Sequence, residues 1–226
     1  TDGPFYFLGI STIYPDICIS IARDDEILYS QRISQAHESL ESLPQLLQSA
    51  CKRVDVSLSS FTAAAVIQGP GAYTGIRVGI SVLRTLSQLY GFPVYGLNAL
   101  DALAWERRGI NGISWVIRQA RRHDYHLACI GTKEGKLHRM TDDLCLPLDH
   151  LLTILKSCEY TPQILSDLPE RFERELRHSV PDIHYQALNP SADPILSYAR
   201  TQYRSGVEGA WKDLRPQYSH PAVSEG

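Results

Sequence analysis

The glycine-rich stretch Gly69–Gly79, with the sequence GPGAYTGIRVG, constrains the fold more than any other part of the chain. A run of small and apolar residues, 63–67, precedes it, and apolar residues recur at helical spacing from Ile76 to Tyr90. This order predicts a strand, a tight turn and a helix. A helix that begins at such a turn aims free N–H groups at any anion above it. The candidate ligand contacts are Gly69, Gly71, Thr74 and Gly75.

Two familiar phosphate-binding motifs do not fit this stretch. A P-loop has Lys and then Ser or Thr after its last glycine, whereas Gly75 is followed by Ile76 and Arg77. The dinucleotide motif G-x-G-x-x-G would need its third glycine one residue earlier than Gly75. Two interpretations of this stretch therefore remain: an anion-binding site, or a tight connection that binds nothing.

The composition is that of an ordinary globular protein. The chain has 226 residues, of which 43% are apolar, and a net charge of −3. It has room for one large or two small domains, and it lacks the basic excess of a protein that binds nucleic acid or membranes by itself. The five cysteines form no C-x-x-C pair, which favours a reducing compartment. No apolar run is long enough for a membrane span, and no signal peptide is visible.

The pattern along the chain predicts a mixed α/β fold. Residues 5–104 read as three short strands with tight turns, followed by helix, strand, helix, strand and helix. Residues 114–140 repeat the opening meander, which indicates a duplicated, degenerate second unit. Further helices are expected at 151–158, 170–178 and 194–204, and a short strand at 163–165. The predicted parts are a first unit at 1–107, a smaller second unit at 108–190, and a C-terminal helix with an extended tail at 191–226, whose last eight residues are expected to be disordered.

No catalytic or metal-binding constellation can be read from the sequence. His123 and His126 are three residues apart but lack a third ligand nearby, and there is no H-E-x-x-H pair. No G-x-S-x-G motif marks a nucleophile. Arg118, Arg121 and Arg122 form a basic cluster, which is either a solvated loop or a patch for an acidic partner or an RNA phosphate.

The helix after the glycine-rich turn carries small residues on several faces. They are Gly79, Ser81, Thr85 and Ser87. Small residues let a helix approach a neighbour closely. The neighbour can be the sheet of the same unit or another subunit, and the sequence leaves both open.

Four stretches of the chain resemble the TsaB (YeaZ) family. Residues 69–81 resemble its signature, which is close to G-P-G-S-F-T-G-x-R-x-G, with Ala72 and Tyr73 in place of Ser and Phe. The other three stretches are 36–47, 92–104 and 118–126, which resemble the family's H-S-E-x-L-L-P-x-I, I-P-x-x-G-V-x-S-L-x-A-L-A and D-A-R-R-x-E-V-Y segments.

The resemblance implies an actin-like ATPase fold (ASKHA, ribonuclease-H-like) of two βββαβα-type units, the second degenerate. It implies a non-catalytic scaffold that activates a TsaD-like catalytic subunit and works with a TsaE-like ATPase. Together these proteins transfer a threonylcarbamoyl group to the tRNA adenosine next to the anticodon, and this chain would meet tRNA only through the complex. It also implies a heterodimer, or a homodimer in isolation, formed through the first helices. The implied interface residues are Leu40, Leu43, Leu47, Arg77, Gly79, Ile80, Leu83 and Ser87.

The chain departs from the family pattern at two places. Ser11-Thr12-Ile13 stands where the family usually has Asp-Thr-Ser, whose carboxylate faces phosphate and metal in ATPase relatives. Arg118-Gln119 replaces the Asp of D-A-R-R. We therefore expect no catalytic residue, no metal and no cofactor, with ATP or ADP at the partner interface as an open alternative. The competing functions are a metal- or nucleophile-dependent, peptidase-like hydrolase and an autonomous ATPase.

Overall fold

A computed structural model describes residues 3–13, 15–35, 38–120, 123–189 and 191–218. The strands are β1 Tyr6–Ser11, β2 Asp16–Arg23, β3 Glu26–Ser34, β4 Phe61–Gly69, β5 Val94–Asn98, β6 Gly112–Gln119, β7 Asp124–Lys133, β8 Lys136–Arg139, β9 Leu144–Pro147, β10 Gln163–Ser166 and β11 His184–Ala187. The α-helices are α1 Leu43–Arg53, α2 Tyr73–Tyr90, α3 Ala99–Trp105, α4 Leu148–Lys156, α5 Glu170–Ser179 and α6 Asp193–Arg204. No helix among these is long and apolar enough to cross a bilayer.

The chain divides into two compact units. The first contains Thr1–Ala99 and Pro190–Tyr218, and the second contains Leu100–Asn189. This division falls before the expected boundary at residue 107, and it assigns α6 to the first unit instead of to a separate C-terminal part. Packing on β1 explains the second difference, because a Cβ on Gly9 would lie only 2.6 Å from the Ala192 carbonyl oxygen at the start of α6.

The first unit has a five-stranded sheet with the order β3-β2-β1-β4-β5. Strands β1 to β3 form the predicted antiparallel meander, and β4 and β5 run parallel to β1. Gly9, which is paired with Ala65, faces α6, whereas Val66 faces Gly79 on α2. Successive residues of a strand point to opposite faces. Helices α6 and α2 therefore cover the two sides of the sheet, which is why β4 is buried along most of its length.

Helix α2 has clear ends and a clear core face. Ile76, Ile80 and Leu83 recur at helical spacing and are buried. The helix ends at Gly91, which adopts the left-handed conformation with φ 77° and donates its N–H to the Ser87 carbonyl at 2.8 Å.

The second unit repeats the strand order of the first. Its six-stranded sheet has the order β11-β10-β6-β7-β8, and β9 also pairs with β7. Strands β6, β7 and β8 form an antiparallel meander, while β10 and β11 run parallel to β6. The duplication predicted from the sequence is therefore confirmed. Helix α3 packs on this sheet, where Leu100 and Leu103 share a buried cluster with Val116.

Two details of the second unit differ from the expectation. Strands β9 and β11 were not predicted, because each has only four residues and the β11 sequence HYQA lacks an apolar alternation. Arg118 and Gln119 lie in β6 and not in a loop. Arg121, Arg122 and the predicted disordered tail lie outside the described residues.

Candidate functional site

The glycine-rich turn joins β4 to α2 and lies at the carboxyl end of the parallel strands. Gly69 has φ +124°, a backbone conformation that residues with a side chain rarely adopt. Its peptide bond to Pro70 is cis. The helix begins at Tyr73 after Ala72, which caps it without any side-chain hydrogen bond. The predicted order of strand, turn and helix is confirmed.

The turn after β1 packs tightly against this loop and against α2. The Thr12 hydroxyl donates a buried hydrogen bond of 2.7 Å to the Gly75 carbonyl. A Cβ on Gly75 would overlap the Thr12 carbonyl oxygen, and one on Gly79 would overlap the Thr12 hydroxyl. A Cβ on Gly71 would lie 2.8 Å from Cγ2 of Ile13. These three glycines therefore make room for the chain's own β1 turn.

The end of the described chain lies against the other side of the loop. The Gln217 N–H donates to the Gln68 carbonyl at 2.7 Å. A Cβ on Gly69 would overlap the Gln217 carbonyl oxygen. The ring of Tyr218 stacks on that of Tyr73, with 5.3 Å between the centroids. Of the four predicted ligand contacts, Gly69, Gly71 and Gly75 therefore pack against other parts of the chain on the side where a Cβ would lie. Thr74 is exposed.

Most of the predicted partner-interface residues are internal to the first unit. Arg77 is exposed and Leu40 is half-buried. The buried residues are Leu43, Leu47, Gly79, Ile80, Leu83 and Ser87. These residues lie in the core beneath α1 and α2, and the Ser87 hydroxyl donates to the Phe92 carbonyl at 2.7 Å. The partner surface stays a prediction, and any part that a partner touches must come from other positions on these helices.

The solvent side of α2 contains a continuous strip without charge. At about 100° per residue, its members lie within roughly 60° of a common direction. They are Thr74, Val78, Ser81, Val82, Thr85 and Leu89, all exposed or half-buried, and we call them the uncharged face. Leu89 is 68% exposed. The sequence reasoning noted Ser81 and Thr85 but missed the others, although their spacing opposite the core residues of α2 was the signal that could have found them.

In the second unit, Arg118 and His126 face each other across β6 and β7. The Arg118 guanidinium pairs with the Asp167 carboxylate at 2.8 Å, and both side chains are largely buried. Burial and the charge of Arg118 lower the pKa of His126 to about 4, so the imidazole is neutral at pH 7. His123 is exposed and precedes β7. Among the described residues, no group of three His, Cys, Asp or Glu side chains is placed to hold a metal ion.

The five cysteines, which all lie among the described residues, form no disulfide. Cys18, Cys51 and Cys129 are buried. Burial raises the pKa of Cys51 to about 11, which disfavours the thiolate that a nucleophile requires.

Comparison with known proteins identifies the relatives of this chain. The family model for TsaD, tRNA N6-adenosine threonylcarbamoyltransferase, matches residues 26–143. The chain is 27% identical over 151 residues to the tRNA threonylcarbamoyladenosine biosynthesis protein TsaB of Bacillus subtilis, covering 66% of this chain and 65% of that protein. It is 30% identical over 109 residues to a tRNA N6-adenosine threonylcarbamoyltransferase of Rhizobium johnstonii, covering 47% of this chain and 30% of that protein. The chain therefore spans less than two thirds of the length of either relative.

A solved structure with the same fold is YeaZ from Pseudomonas aeruginosa. It superposes with a TM-score of 0.72 at 19% identity, covering 95% of this chain and 100% of that one. Together with the repeated strand order of the two units, this similarity establishes the actin-like ATPase fold.

Proposed function

Because the chain belongs to the TsaB (YeaZ) branch of the TsaD family, we propose that it acts in threonylcarbamoyladenosine synthesis on tRNA as a non-catalytic subunit. In this role it pairs with a TsaD-like transferase, and a TsaE-like ATPase joins the pair in the cytoplasm. The chain needs no cofactor of its own. It meets tRNA only as part of the complex.

The uncharged face of α2 is the observation that carries this proposal. A surface helix normally has charged residues opposite its core face. Here six solvent-side positions are small or apolar, and Leu89 is 68% exposed. A helix with such a face packs closely on another helix. Its exposure in the single chain is therefore best explained by a partner that covers it.

A TsaD-like transferase fits as this partner because of its own relationship to the chain. The TsaD model matches residues 26–143, which include both α1 and α2. A transferase of this family therefore carries equivalent helices. Two equivalent faces can pack about an approximate twofold axis, as in the isologous interfaces of dimers.

The surroundings of the glycine-rich loop support a non-catalytic role. The buried Ser11 stands where ATPase relatives carry a carboxylate. The next residue, Thr12, holds the Gly75 carbonyl and packs against the start of α2. Gln217 closes the other side of the loop at Gly69. These contacts use the glycines for packing, and no observation on the described residues favours the hydrolase or the autonomous ATPase.

Reconstitution tests the proposal. The TsaD-like and TsaE-like proteins, tRNA, threonine, bicarbonate and ATP are supplied with threonylcarbamoyl-adenylate synthase, with and without this chain, and modified tRNA is measured. We expect product only when the chain is present. Product formation at the same rate without the chain, or product with the chain and no transferase, would contradict the proposal.

A matched pair of variants tests the surface. Thr85→Arg puts an unpaired charge in the middle of the uncharged face, and should weaken transferase binding at least about 100-fold. Thr201→Arg makes the same change at an exposed position of α6 and should bind normally. The two threonines are well matched, because each donates its hydroxyl to the carbonyl four residues earlier, at 3.0 Å in α2 and 2.9 Å in α6. Equal binding by both variants would place the interface elsewhere.

A further inference from the structure

The segment Val207–Tyr218, which we call the strap, runs from the end of α6 back to the glycine-rich loop within the first unit. Three contacts anchor it. The Tyr95 hydroxyl donates to the Val207 carbonyl at 2.9 Å. Leu214 is buried, with 1% of its surface exposed, and the Arg84 guanidinium of α2 donates to its carbonyl. The strap is therefore held along its length and is positioned by the fold.

Gln217 ties the end of the strap to the ends of β4 and β5. In addition to the backbone hydrogen bond to Gln68, its side-chain amide lies 3.4 Å from the Gln68 side-chain oxygen. The Asn98 amide donates to the Gln217 side-chain oxygen at 3.3 Å. Gln217 thus fixes where the next residue, Tyr218, is placed.

Tyr218 belongs to an exposed aromatic group at the first turn of α2. Its ring stacks on Tyr73 with an angle of 20° between the planes. The Arg77 guanidinium lies 5.1 Å from the centroid of the Tyr73 ring and donates to the Tyr73 hydroxyl. Tyr73 and Tyr218 nevertheless stay 46% and 45% exposed. Tyr and Arg are among the residue types that contribute most to binding at protein interfaces.

The aromatic group borders the uncharged face of α2 at its amino-terminal end. Ser81, a member of that face, lies one turn after Arg77, and at about 100° per residue the two side chains point in directions only about 40° apart. A partner that covers the face along its whole length therefore reaches the aromatic group. The ring stack and the cation–π contact hold these side chains in place before binding, which lowers the entropy lost on association.

We infer that the strap is part of the transferase-binding surface, because it supplies Tyr218 and fixes the first turn of α2. This inference rests on the proposed function, which identifies the occupant as a TsaD-like transferase. It makes partner binding depend on the last residues of the described chain, which are far in sequence from α2.

Three variants test this inference by titration calorimetry with the TsaD-like transferase. A chain that ends at Tyr218 keeps every strap contact and should bind like the full chain. A chain that ends at Pro216 and the variant Tyr218→Ala should each bind about tenfold more weakly. Tyr160→Ala is the matched control, because Tyr160 is 48% exposed in the second unit. It should bind normally. Amide exchange at residues 73–77 should be faster in the chain that ends at Pro216.

The outcomes separate this inference from the proposed function. If the full chain does not bind the transferase, the proposed function fails. If the full chain binds, Thr85→Arg does not, and Tyr218→Ala binds within twofold of the full chain, the inference alone is overturned. If the chain that ends at Pro216 folds poorly, Tyr218→Ala still tests the inference, because it changes a single exposed side chain.

Discussion

Replacing Gly75 by alanine should destabilise the first unit, although the same change favours a helix in general. Gly75 lies in the first turn of α2, where its backbone is pressed against the turn after β1. A Cβ at this position would overlap the Thr12 carbonyl oxygen, which is backbone and cannot rotate away. Either Thr12 or the start of α2 must move. Both movements disturb the buried hydrogen bond from Thr12 to the Gly75 carbonyl.

The expected magnitude follows from three terms. Overpacking a buried site costs about 1–3 kcal/mol. Loss of the hydrogen bond adds about 1 kcal/mol. The higher helix propensity of alanine returns at most about 1 kcal/mol. The net loss is about 2 kcal/mol, which corresponds to a thermal midpoint lower by roughly 4–8 °C for a protein of this size.

Differential scanning calorimetry and amide exchange across β4 and α2 can measure this loss. Gly109→Ala is the control, because nothing lies within 4 Å of a Cβ there and its φ is not in the left-handed region. It should leave the midpoint unchanged or raise it slightly. Thr12→Val keeps the side-chain shape and removes only the hydrogen bond, so it should cost about 1 kcal/mol. If Gly75→Ala is as stable as the original chain, the glycine is not required by packing and the reasoning is wrong.

Two further predictions concern the second unit. The pKa of His126 is about 4 in the folded chain and near its ordinary value of 6.5 in the unfolded chain, so between these pH values only the unfolded chain binds a proton there. The free energy of unfolding should therefore fall as the pH drops from 6.5 to 4, by at most about 3 kcal/mol. Chemical denaturation at several pH values should show that the free energy of unfolding of His126→Gln depends less on pH than that of the original chain. Arg118→Met leaves the buried Asp167 carboxylate without its partner and should lower the free energy of unfolding by about 3–5 kcal/mol. Arg177→Met, at a pair whose arginine is 45% exposed, should lower it by less than about 1 kcal/mol. Equal losses for the two variants in urea unfolding would refute the argument from burial.

The succession of strands and helices along the first unit was predictable because its signals are local. Strands β1 and β2 are apolar runs, β3 follows β2 after a tight turn, and β4 is bounded by the glycine-rich turn. The core face of α2 follows from the spacing of Ile76, Ile80 and Leu83. Each of these features depends on residues close together in the sequence.

The candidate site was less predictable because its contacts join distant parts of the chain. Nothing in the sequence near Gln217 shows that it lies against Gly69. The partner-surface prediction included Leu43 and Leu83 because it did not separate the core side of each helix from its solvent side. That separation was available for α2 from periodicity alone. The position of the strap depends on tertiary packing, so it could not be predicted from periodicity.

The two units solve the same packing problem with different chemistry, which explains why the glycine-rich motif occurs only once. In each unit, the end of the first strand is fixed to the residues that follow its parallel neighbour, which is β4 in the first unit and β10 in the second. In the second unit Arg118, the penultimate residue of strand β6, reaches Asp167 after β10 and forms an ion pair. In the first unit Thr12, just after β1, contacts Gly75 through a hydrogen bond and direct backbone packing. Long side chains can span a gap, whereas backbone contact requires residues without a Cβ. The glycines of the first unit are therefore required by the fold itself, whether or not any ligand approaches the loop.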